Sequence, residues 1–260
     1  MDFYFPMANP CRMEYDEGSS NMNEMRNLMN ILFEDKDILV VEKPAGVPVE
    51  TRRIGQADMV SLLKNHLAQK QPGKPPYLGM IHRLDQPVQG VMVFAKTPAA
   101  AKDLSSQLSN GSMQKIYRAV VNGALPKSGE LTDYLLKDGR TNTSRIVPKG
   151  TKDAKLSKLT YQCLGHLSAE ELSPDVSSPA GLSLAEIHLL TGRHHQIRVQ
   201  MSGAGFPLYG DQKYNPTSPH KHGEHVALCA FQLTFRHPAT KKALTFSCMP
   251  AGEIFKKFSI

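Results

Sequence analysis

The stretch IHRLDQPVQG at residues 81–90 runs directly into the apolar segment VMVFA at residues 91–95. An uninterrupted apolar segment of this length, bounded by polar residues, is typical of a buried β-strand. His82, Arg83 and Asp85 therefore lie just before a strand, where loops at the edge of a sheet often carry functional side chains. From residue types alone, Asp85 is a candidate nucleophile, general base or metal ligand, or simply a turn-forming carboxylate before a proline.

A second polar segment, TGRHHQIR at residues 191–198, follows an apolar run at residues 182–189. Its arginines and the N–H groups of a predicted helix start suit an anion, although an ordinary polar helix start explains the same residues. A metal site at His194 and His195 is less favoured, because adjacent residues project in different directions. The segment HKHGEH at residues 220–225 also resembles a metal site, but it lies in a Pro/Ser/Gly-rich loop.

The other elements follow from hydrophobic periodicity and turn residues. Strands are predicted near residues 31–33, 38–41, 115–121, 159–164, 229–235 and 244–247, besides the two above, and helices near 58–69, 97–109 and 195–203. Strands outnumber helices and do not alternate with them regularly. We therefore expect an α+β fold with a mixed, largely antiparallel central sheet flanked by helices.

The charge of the chain is unevenly distributed. Its 260 residues include 31 Lys and Arg against 24 Asp and Glu, for a formal net charge of +7. Residues 1–34 carry two basic and six acidic side chains, whereas residues 137–158 carry seven basic and two acidic ones. This predicts an acidic, mobile extension over residues 1–29 and a single domain over residues 30–260. The basic region is either a solvated loop or an electrostatic footprint for a phosphate backbone.

Composition argues against several classes of protein. The four cysteines lie far apart without a C-x-x-C pair, which argues against a disulfide framework and fits a reducing cytosol. No apolar run approaches the ~20 residues of a membrane helix. The start of the chain also lacks the basic and apolar regions of a signal peptide. We expect a cytoplasmic protein that contacts no membrane.

Five short motifs occur in a fixed order along the chain. They are K-P-A-G at residues 43–46, H-R-L-D with a later Gly, an apolar strand and A-K-T at 82–97, K-I-Y at 115–117, G-R-H-H-Q-I-R at 192–198, and G-F-P-L-Y-G-D at 205–211. In order and spacing they resemble the motifs of the RluA-type family of RNA pseudouridine synthases. The resemblance extends over about residues 30–251.

The resemblance implies an enzyme that isomerises uridine to pseudouridine in RNA. The reaction involves no net oxidation, so no cofactor is expected. Matching positions give Asp85 as nucleophile or base, and Arg198 as the cation that keeps it ionised. They give Tyr117 as the ring that stacks on the uracil and as a group that can help to remove the C5 proton. The target base must leave its stack to react, so base flipping is implied as well.

Further residues are candidate RNA or substrate contacts by the same resemblance. Arg83 is expected at the phosphate near the flipped nucleotide or in the space that this nucleotide leaves. Ile197 is expected on the apolar side of the pocket, and others support the site through hydrogen bonds. The full set is His82, Arg83, Arg193, His195, Gln196 and Ile197.

The chain departs from the family pattern in several places. Residues 86–89 read QPVQ where Arg-x-Thr-Ser is usual, His194 stands in place of a Thr, and Cys229 stands where His is common. The acidic residues 1–29 are too few for the S4-like RNA-binding domain that many members carry. The choice of RNA is therefore expected to come from the catalytic body.

Three hypotheses follow. The leading one is a pseudouridine synthase that acts as a monomer on ribosomal or transfer RNA and holds no metal. The alternative is a catalytically idle RNA-binding or RNA-folding module of the same fold, since the altered residues 86–89 fit a paralogue that binds without reacting. A metal-dependent hydrolase built on His194, His195 and residues 220–225 is the third.

Overall fold

A single sheet organises the part of the chain that the structure describes. The computed structural model describes residues 30–70, 73–172, 176, 178–215 and 225–258. The strands are β1 Asn30–Glu34, β2 Ile38–Lys43, β3 Gly79–Met80, β4 Gln89–Ala95, β5 Gln114–Asn122, β6 Ser128–Asp138, β7 Thr143–Val147, β8 Lys155–Leu167, β9 Leu182–Leu189, β10 Leu228–Arg236 and β11 Ala243–Ser247. The acidic extension predicted for residues 1–29 lies outside the described residues.

The sheet has the order β1-β2-β4-β10-β5-β9-β8-β6-β7, with β3 added beside β4 and β11 beside β10. Strand pairs are antiparallel except β4 with β10, which run parallel. The expected mixed, largely antiparallel α+β sheet is therefore confirmed. Strand β4, the third in this order, is buried along its whole length. Met92 and Phe94 pack into the core on one face, and Val91 and Val93 into the core on the other.

The helices are α1 Met59–Lys70, α2 Pro98–Ser109, α3 Gln196–Gly203 and α4 Glu253–Lys256. Asp58 and Thr97, whose side chains favour the N-cap position, cap α1 and α2. Asp58 Oδ1 accepts a hydrogen bond of 2.7 Å from the backbone N–H of Ser61, and Thr97 Oγ1 accepts one of 3.1 Å from Ala100. Each cap satisfies an N–H group that the first helical turn leaves unpaired.

Gly90 allows the start of β4 to approach β10 closely. It pairs with Ala230 in the parallel ladder and has a backbone φ of +130°. A Cβ atom at this position would lie 2.4 Å from the carbonyl oxygen of Ala230. Only glycine fits such a contact without displacing the partner strand. The close approach fixes the strand that the Asp85 loop enters.

The structure corrects the sequence predictions in two regions. The sequence predicts neither β6 nor β7, and the interpretation of residues 137–158 as a solvated loop is wrong because β7 and the ends of β6 and β8 lie there. Residues 23–32 also fit a short helix by sequence, but residues 30–32 belong to β1, and residues 23–29 lie outside the described part of the chain. Among the described residues, helices are too short or too polar to cross a membrane.

Candidate active site

An open cleft of about 1470 Å³ collects residues from the loops after β2, before β4 and after β9. Asp85, Tyr117 and Arg198 all line it. Cationic side chains dominate its walls and suit a polyanion. They are Arg53, Arg83, Lys115, Lys137, Arg193, Arg198 and Lys213, against the carboxylates of Glu50 and Asp85.

A tight turn presents Asp85 to the cleft. The carbonyl oxygen of Asp85 accepts a 3.0 Å hydrogen bond from Val88 N–H, directly before β4 begins. The next carbonyl, of Gln86, accepts bonds from Gly46 N–H at 2.9 Å and from Lys43 Nζ at 3.0 Å. The Asp85 side chain keeps 29% of its surface exposed. The backbone is thus fixed while the carboxylate stays accessible.

Lys43 is buried beneath this turn. Its side chain is sealed from solvent, and Nζ donates to the carbonyl oxygens of Pro44 at 2.9 Å, Val47 at 2.6 Å and Gln86 at 3.0 Å. Burial lowers the pKa of Lys43 to about 7, against the opposite influence of Asp85. The three carbonyls match the three N–H donors of an ammonium group. Lys43 therefore ties the K-P-A-G turn to the loop that carries Asp85.

Arg198 lies between two carboxylates. Its Nε and Nη2 atoms donate to Asp211 at 2.7 and 2.6 Å, and Nη1 donates to Asp85 Oδ2 at 3.2 Å. Burial alone lowers the pKa of Arg198, but Asp211 and Asp85 raise it above its ordinary value. The cation is therefore permanent, and it forms an ion pair with Asp85.

Tyr117 contributes a buried phenol ring beside this pair. It lies in β5 opposite Ile187 of β9, and only 7% of its surface is exposed. Burial raises the pKa of Tyr117, and the charge of Asp85 raises it further. The hydroxyl group is therefore protonated at neutral pH, and the ring offers a flat apolar surface to the cleft.

His195 approaches Asp85 from the start of α3. It precedes the helix in the left-handed region, with φ of +53°, and stacks on His194 with 3.8 Å between ring centroids. Its Nε2 atom lies 3.5 Å from Asp85 Oδ2, and Nδ1 lies 2.8 Å from the hydroxyl oxygen of Tyr214. Burial lowers the pKa of His195 to about 4, so the ring is neutral at pH 7.

Three other predicted residues reach the cleft in different ways. Arg83 is exposed on its wall, free to meet a phosphate. The His82 ring is turned inward, with Nε2 accepting a 3.3 Å bond from Val93 N–H, and burial lowers its pKa to about 4. Arg193 donates from Nε to the carbonyl oxygen of Leu156 at 3.0 Å, which joins the α3 loop to β8.

Gln196 and Ile197 lie behind the cleft wall. Gln196 Oε1 accepts bonds from Thr191 Oγ1 at 2.8 Å and Arg193 N–H at 3.0 Å, and Nε2 donates to the carbonyl oxygen of Lys158 at 3.0 Å. Ile197 is 4% exposed and packs in the core cluster that includes Tyr117. These contacts hold the loop before α3 in place.

Sequence reasoning assigned no role to Lys43, Asp211 or Tyr214. Lys43 belongs to the K-P-A-G motif, and Asp211 ends the G-F-P-L-Y-G-D motif. The available signal for Asp211 was an acidic residue shortly after the motif that carries Arg198. Tyr214 follows Asp211 closely in a loop without periodicity. The ring of Tyr214 lies 5.2 Å from the Arg198 guanidinium, so the loop places both groups around the same cation.

The unusual residues 86–89 are built into the turn. Gln86 Nε2 donates to the carbonyl oxygen of Gly46 at 3.0 Å. Gln89 exchanges two hydrogen bonds, of 2.7 and 2.9 Å, with the backbone of Ala251. Val88 is 2% exposed in the core. The departure from the family pattern therefore leaves the Asp85 turn intact.

Hydrogen bonds, rather than a metal ion, account for the position of His194. The two ring nitrogens of His194 are hydrogen-bonded to Ser144 Oγ at 2.9 Å and Asn142 Oδ1 at 3.1 Å. Residues 220–224 lie outside the described part of the chain.

A cluster of possible metal ligands elsewhere consists of Asp35, Asp37 and His237. His237 Nδ1 accepts backbone bonds from Ala239 and Thr240, so its proton lies on Nε2 and is donated to Asp35 at 2.8 Å. These hydrogen bonds account for the cluster as a link between two turns.

Solved structures share this fold. Human RNA pseudouridylate synthase domain containing 4 matches with a TM-score of 0.69 at 23% identity, covering 94% of this chain and 96% of its own. Human RNA pseudouridylate synthase domain containing 1 matches with a TM-score of 0.66, covering 85% and 83%. The fold is that of the pseudouridine synthases.

Sequence comparison makes the assignment more specific. The family model described as RNA pseudouridylate synthase matches residues 37–203. An uncharacterized RNA pseudouridine synthase of Bacillus subtilis is 33% identical, covering 89% of this chain and 72% of its own. Ribosomal large subunit pseudouridine synthase D of Neisseria meningitidis is 32% identical over 89% of this chain. The chain belongs to the RNA pseudouridylate synthase family, and its resemblance to RluA-type members is confirmed. It spans 61% of the length of the Neisseria relative.

Proposed function

We propose that this protein converts uridine to pseudouridine in RNA, acting as a monomer in the cytoplasm. Family membership favours this activity. The observation that carries it is the Asp85 carboxylate, exposed in a cationic cleft and paired through one oxygen with Arg198. Ribosomal or transfer RNA is the proposed substrate, and relatives named ribosomal large subunit pseudouridine synthases favour the ribosomal one.

The chemistry needs a nucleophile or base beside a pocket that retains a detached ring. The N1–C1′ bond of uridine breaks, the uracil turns, and a bond from C5 to C1′ replaces it as the C5 proton leaves. Asp85 begins this sequence by attack at C1′, by attack at C6 of the ring, or by removal of a ribose proton. All three routes use an ionised carboxylate, which Arg198 stabilises.

Tyr117 is proposed to hold the uracil during its rotation. Its ring is fixed by the surrounding core and offers a surface on which any pyrimidine can stack. Burial and the charge of Asp85 raise the pKa of its hydroxyl group, which favours stacking over proton abstraction as its role. We infer that Tyr117 orients the ring, and that a proton acceptor is required from Asp85 or solvent.

RNA binding is proposed to occur along the cationic walls of the cleft. Arg83 is exposed two residues before Asp85, where it can contact the phosphate of the target nucleotide or replace the flipped base. Flipping costs a few kcal/mol, which contacts to neighbouring phosphates offset. Binding is therefore expected to weaken steeply with salt.

Tritium release from RNA that contains [5-³H]uridine tests the proposal, since replacement of the C5 proton accompanies isomerisation. The wild-type protein should release tritium from ribosomal RNA fragments, and Asp85→Asn should release none while binding the same RNA. Asp153→Asn is the matched control, because Asp153 lies on an exposed turn with φ of +63°, which Asn tolerates. RNA binding by the wild-type protein without release from any ribosomal or transfer RNA would instead establish the idle module.

A further inference from the structure

The hairpin of β6 and β7 is attached to the active site by four hydrogen bonds. At its turn, Asn142 Oδ1 bonds to His194 Nε2 at 3.1 Å, and the carbonyl oxygen of Asn142 accepts from Lys213 Nζ at 2.9 Å. In β7, Ser144 Oγ bonds to His194 Nδ1 at 2.9 Å, and Ser144 N–H donates to the hydroxyl oxygen of Tyr214 at 2.8 Å. The hairpin therefore rests on the segment that carries His194 and Tyr214.

These contacts favour one tautomer of His195. Burial raises the pKa of Tyr214, so its hydroxyl group is protonated. The hydroxyl oxygen accepts the Ser144 N–H, and its proton can be donated to His195 Nδ1, which lies 2.8 Å away. A neutral imidazole that accepts at Nδ1 carries its proton on Nε2. That N–H faces Asp85 Oδ2.

The same arrangement makes the two oxygens of Asp85 different. Oδ2 accepts a 3.2 Å hydrogen bond from Arg198 Nη1 and lies 3.5 Å from His195 Nε2, so both groups face the same oxygen. Among the described residues, no hydrogen bond or ion pair engages Oδ1 of Asp85. Oδ1 is therefore the Asp85 oxygen that a substrate can meet without displacing Arg198.

We propose that Tyr214 and His195 are positioning residues. They couple the position of the β6–β7 hairpin to Asp85 and keep the Oδ1 atom of Asp85 directed at the substrate. The inference rests on the proposed pseudouridine synthase activity. It assigns the hairpin a part in catalysis, because movement of Ser144 breaks the chain of hydrogen bonds that sets the Nε2–H tautomer. His194 links the hairpin to this series of hydrogen bonds, and the His194 ring stacks on the His195 ring.

Cationic residues on the hairpin connect this series of hydrogen bonds to RNA. Lys137, Arg140 and Arg145 are exposed there, and Lys137 and Asn142 line the cleft. An RNA strand in the cleft therefore contacts the hairpin while its target nucleotide lies at Asp85. Phosphate contacts of this kind fix position without reading sequence. RNA that presses the hairpin onto Tyr214 holds the nucleophile in its productive orientation.

The tautomer can be tested without activity. Long-range ¹H–¹⁵N correlation spectra of the imidazole groups, with His195 assigned by comparison with His195→Gln, should show a neutral ring protonated at Nε2 at pH 7. In Tyr214→Phe the Nδ1 shift should move toward that of an unbonded nitrogen. An Nδ1–H tautomer in the wild-type protein would overturn the proposal, even if no RNA substrate were known.

Single-turnover kinetics test the consequence for Asp85. Tyr214→Phe keeps the ring beside Arg198 but removes the donor, and the rate should fall about 10–100-fold, as expected for a misplaced reacting group. RNA affinity should stay within about twofold of wild type. Tyr77→Phe, at an exposed tyrosine outside the cleft, is the matched control. Equal rates for the two variants would contradict the proposal, whereas loss of activity in wild type and variants alike would count against the proposed function.

Two further comparisons of variants separate positioning from folding. His195→Gln retains an N–H donor near the Nε2 position and should keep more activity than His195→Leu. Tyr214→Phe combined with His194→Ala should lose less than the product of the two single losses, because both break one chain. Fully multiplicative losses, together with equal rates for the Gln and Leu variants, would show that these residues do not act through Asp85.

Discussion

Arg198 engages Asp211 more firmly than it engages Asp85. Two guanidinium nitrogens contact the Asp211 carboxylate at 2.6 and 2.7 Å, whereas Asp85 receives one contact of 3.2 Å. The Asp211 side chain is fully buried, and that of Asp85 is 29% exposed. Asp211 therefore fixes the direction of the cation, so that Asp85 is stabilised without losing both of its oxygens to the pair.

Replacement of Asp211 by Asn should damage both stability and activity. Asn can still accept the backbone bond from Lys213, but Arg198 loses the charge that holds it. Removal of one member of a buried ion pair costs about 3–5 kcal/mol in the free energy of unfolding. The freed guanidinium is expected to close on both oxygens of Asp85, and tritium release should fall at least tenfold.

Urea denaturation and the tritium assay check this prediction, with Asp133→Asn as the control. Asp133 accepts a 2.7 Å bond from the neutral amide of Gln200, so its charge has no cationic partner there. Its replacement should cost no more than about 1.5 kcal/mol. Similar losses for the two variants would show that Asp211 does not organise Arg198 electrostatically.

A second prediction concerns Gly90 at the junction of β4 and β10. Gly90→Ala would place a Cβ atom 2.4–2.7 Å from the backbone of Ala230, at a φ of +130°. Because backbone cannot yield as a flexible side chain does, unfolding should become easier by about 3 kcal/mol or more. Gly111→Ala, at φ of +78° with open space around it, should cost only about 1 kcal/mol. Equal midpoints in urea for the two variants would contradict this explanation.

The sequence predicted the central strands well but not the hairpin that borders the site. Strands such as β4 are continuous apolar runs with few alternative structures. In β6, partly buried positions alternate with exposed ones, and β7 contains three polar residues before its apolar end. The buried face of each is thus too short and too polar to stand out from a basic loop. Their pairing is decided by long-range contacts that local sequence does not encode.

The site, like the fold, could be predicted from the sequence only in part. Asp85 and Arg198 are separated by 113 residues, and resemblance to a family was the evidence that joined them. The folded chain adds what motifs do not state, namely that Asp211 shares the cation and that Lys43 supports the turn. Burial determines both, because a lone charge in the core requires partners that only the tertiary structure supplies.

A third prediction concerns the acid sensitivity of the first strand. Glu34 contacts Lys70 at 2.7 Å, Lys96 at 2.8 Å and His66 at 2.8 Å. Burial raises the pKa of Glu34, but these three partners lower it to about 2. A carboxyl whose pKa is lower in the folded state stabilises the protein above about pH 4.5, and this contribution is lost as pH falls toward 2.

Glu34→Gln should therefore lower the free energy of unfolding by roughly 1–3 kcal/mol at pH 7 and by much less at pH 2.5. Urea titrations at the two pH values measure this difference. Glu253→Gln is the control, since its contact with Lys256 is largely exposed and should contribute little at any pH. If Glu34→Gln lowered the free energy of unfolding equally at both pH values, the charge of Glu34 would be ruled out as the cause.

The last prediction separates cationic residues that contact RNA from those that only add to the net charge. Lys137 is exposed and lines the cleft, whereas Lys102 is exposed on α2 outside it. Each phosphate neutralised by a cation contributes about 0.7 to the slope of log affinity against log salt for a single strand. Lys137→Ala should reduce that slope by about this amount, measured by fluorescence anisotropy with labelled RNA at several salt concentrations. Lys102→Ala changes the net charge equally and should leave the slope unaltered. If both variants lowered affinity without changing the slope, the hairpin would not contact the phosphate backbone, and the positive charge of the domain would act only at long range.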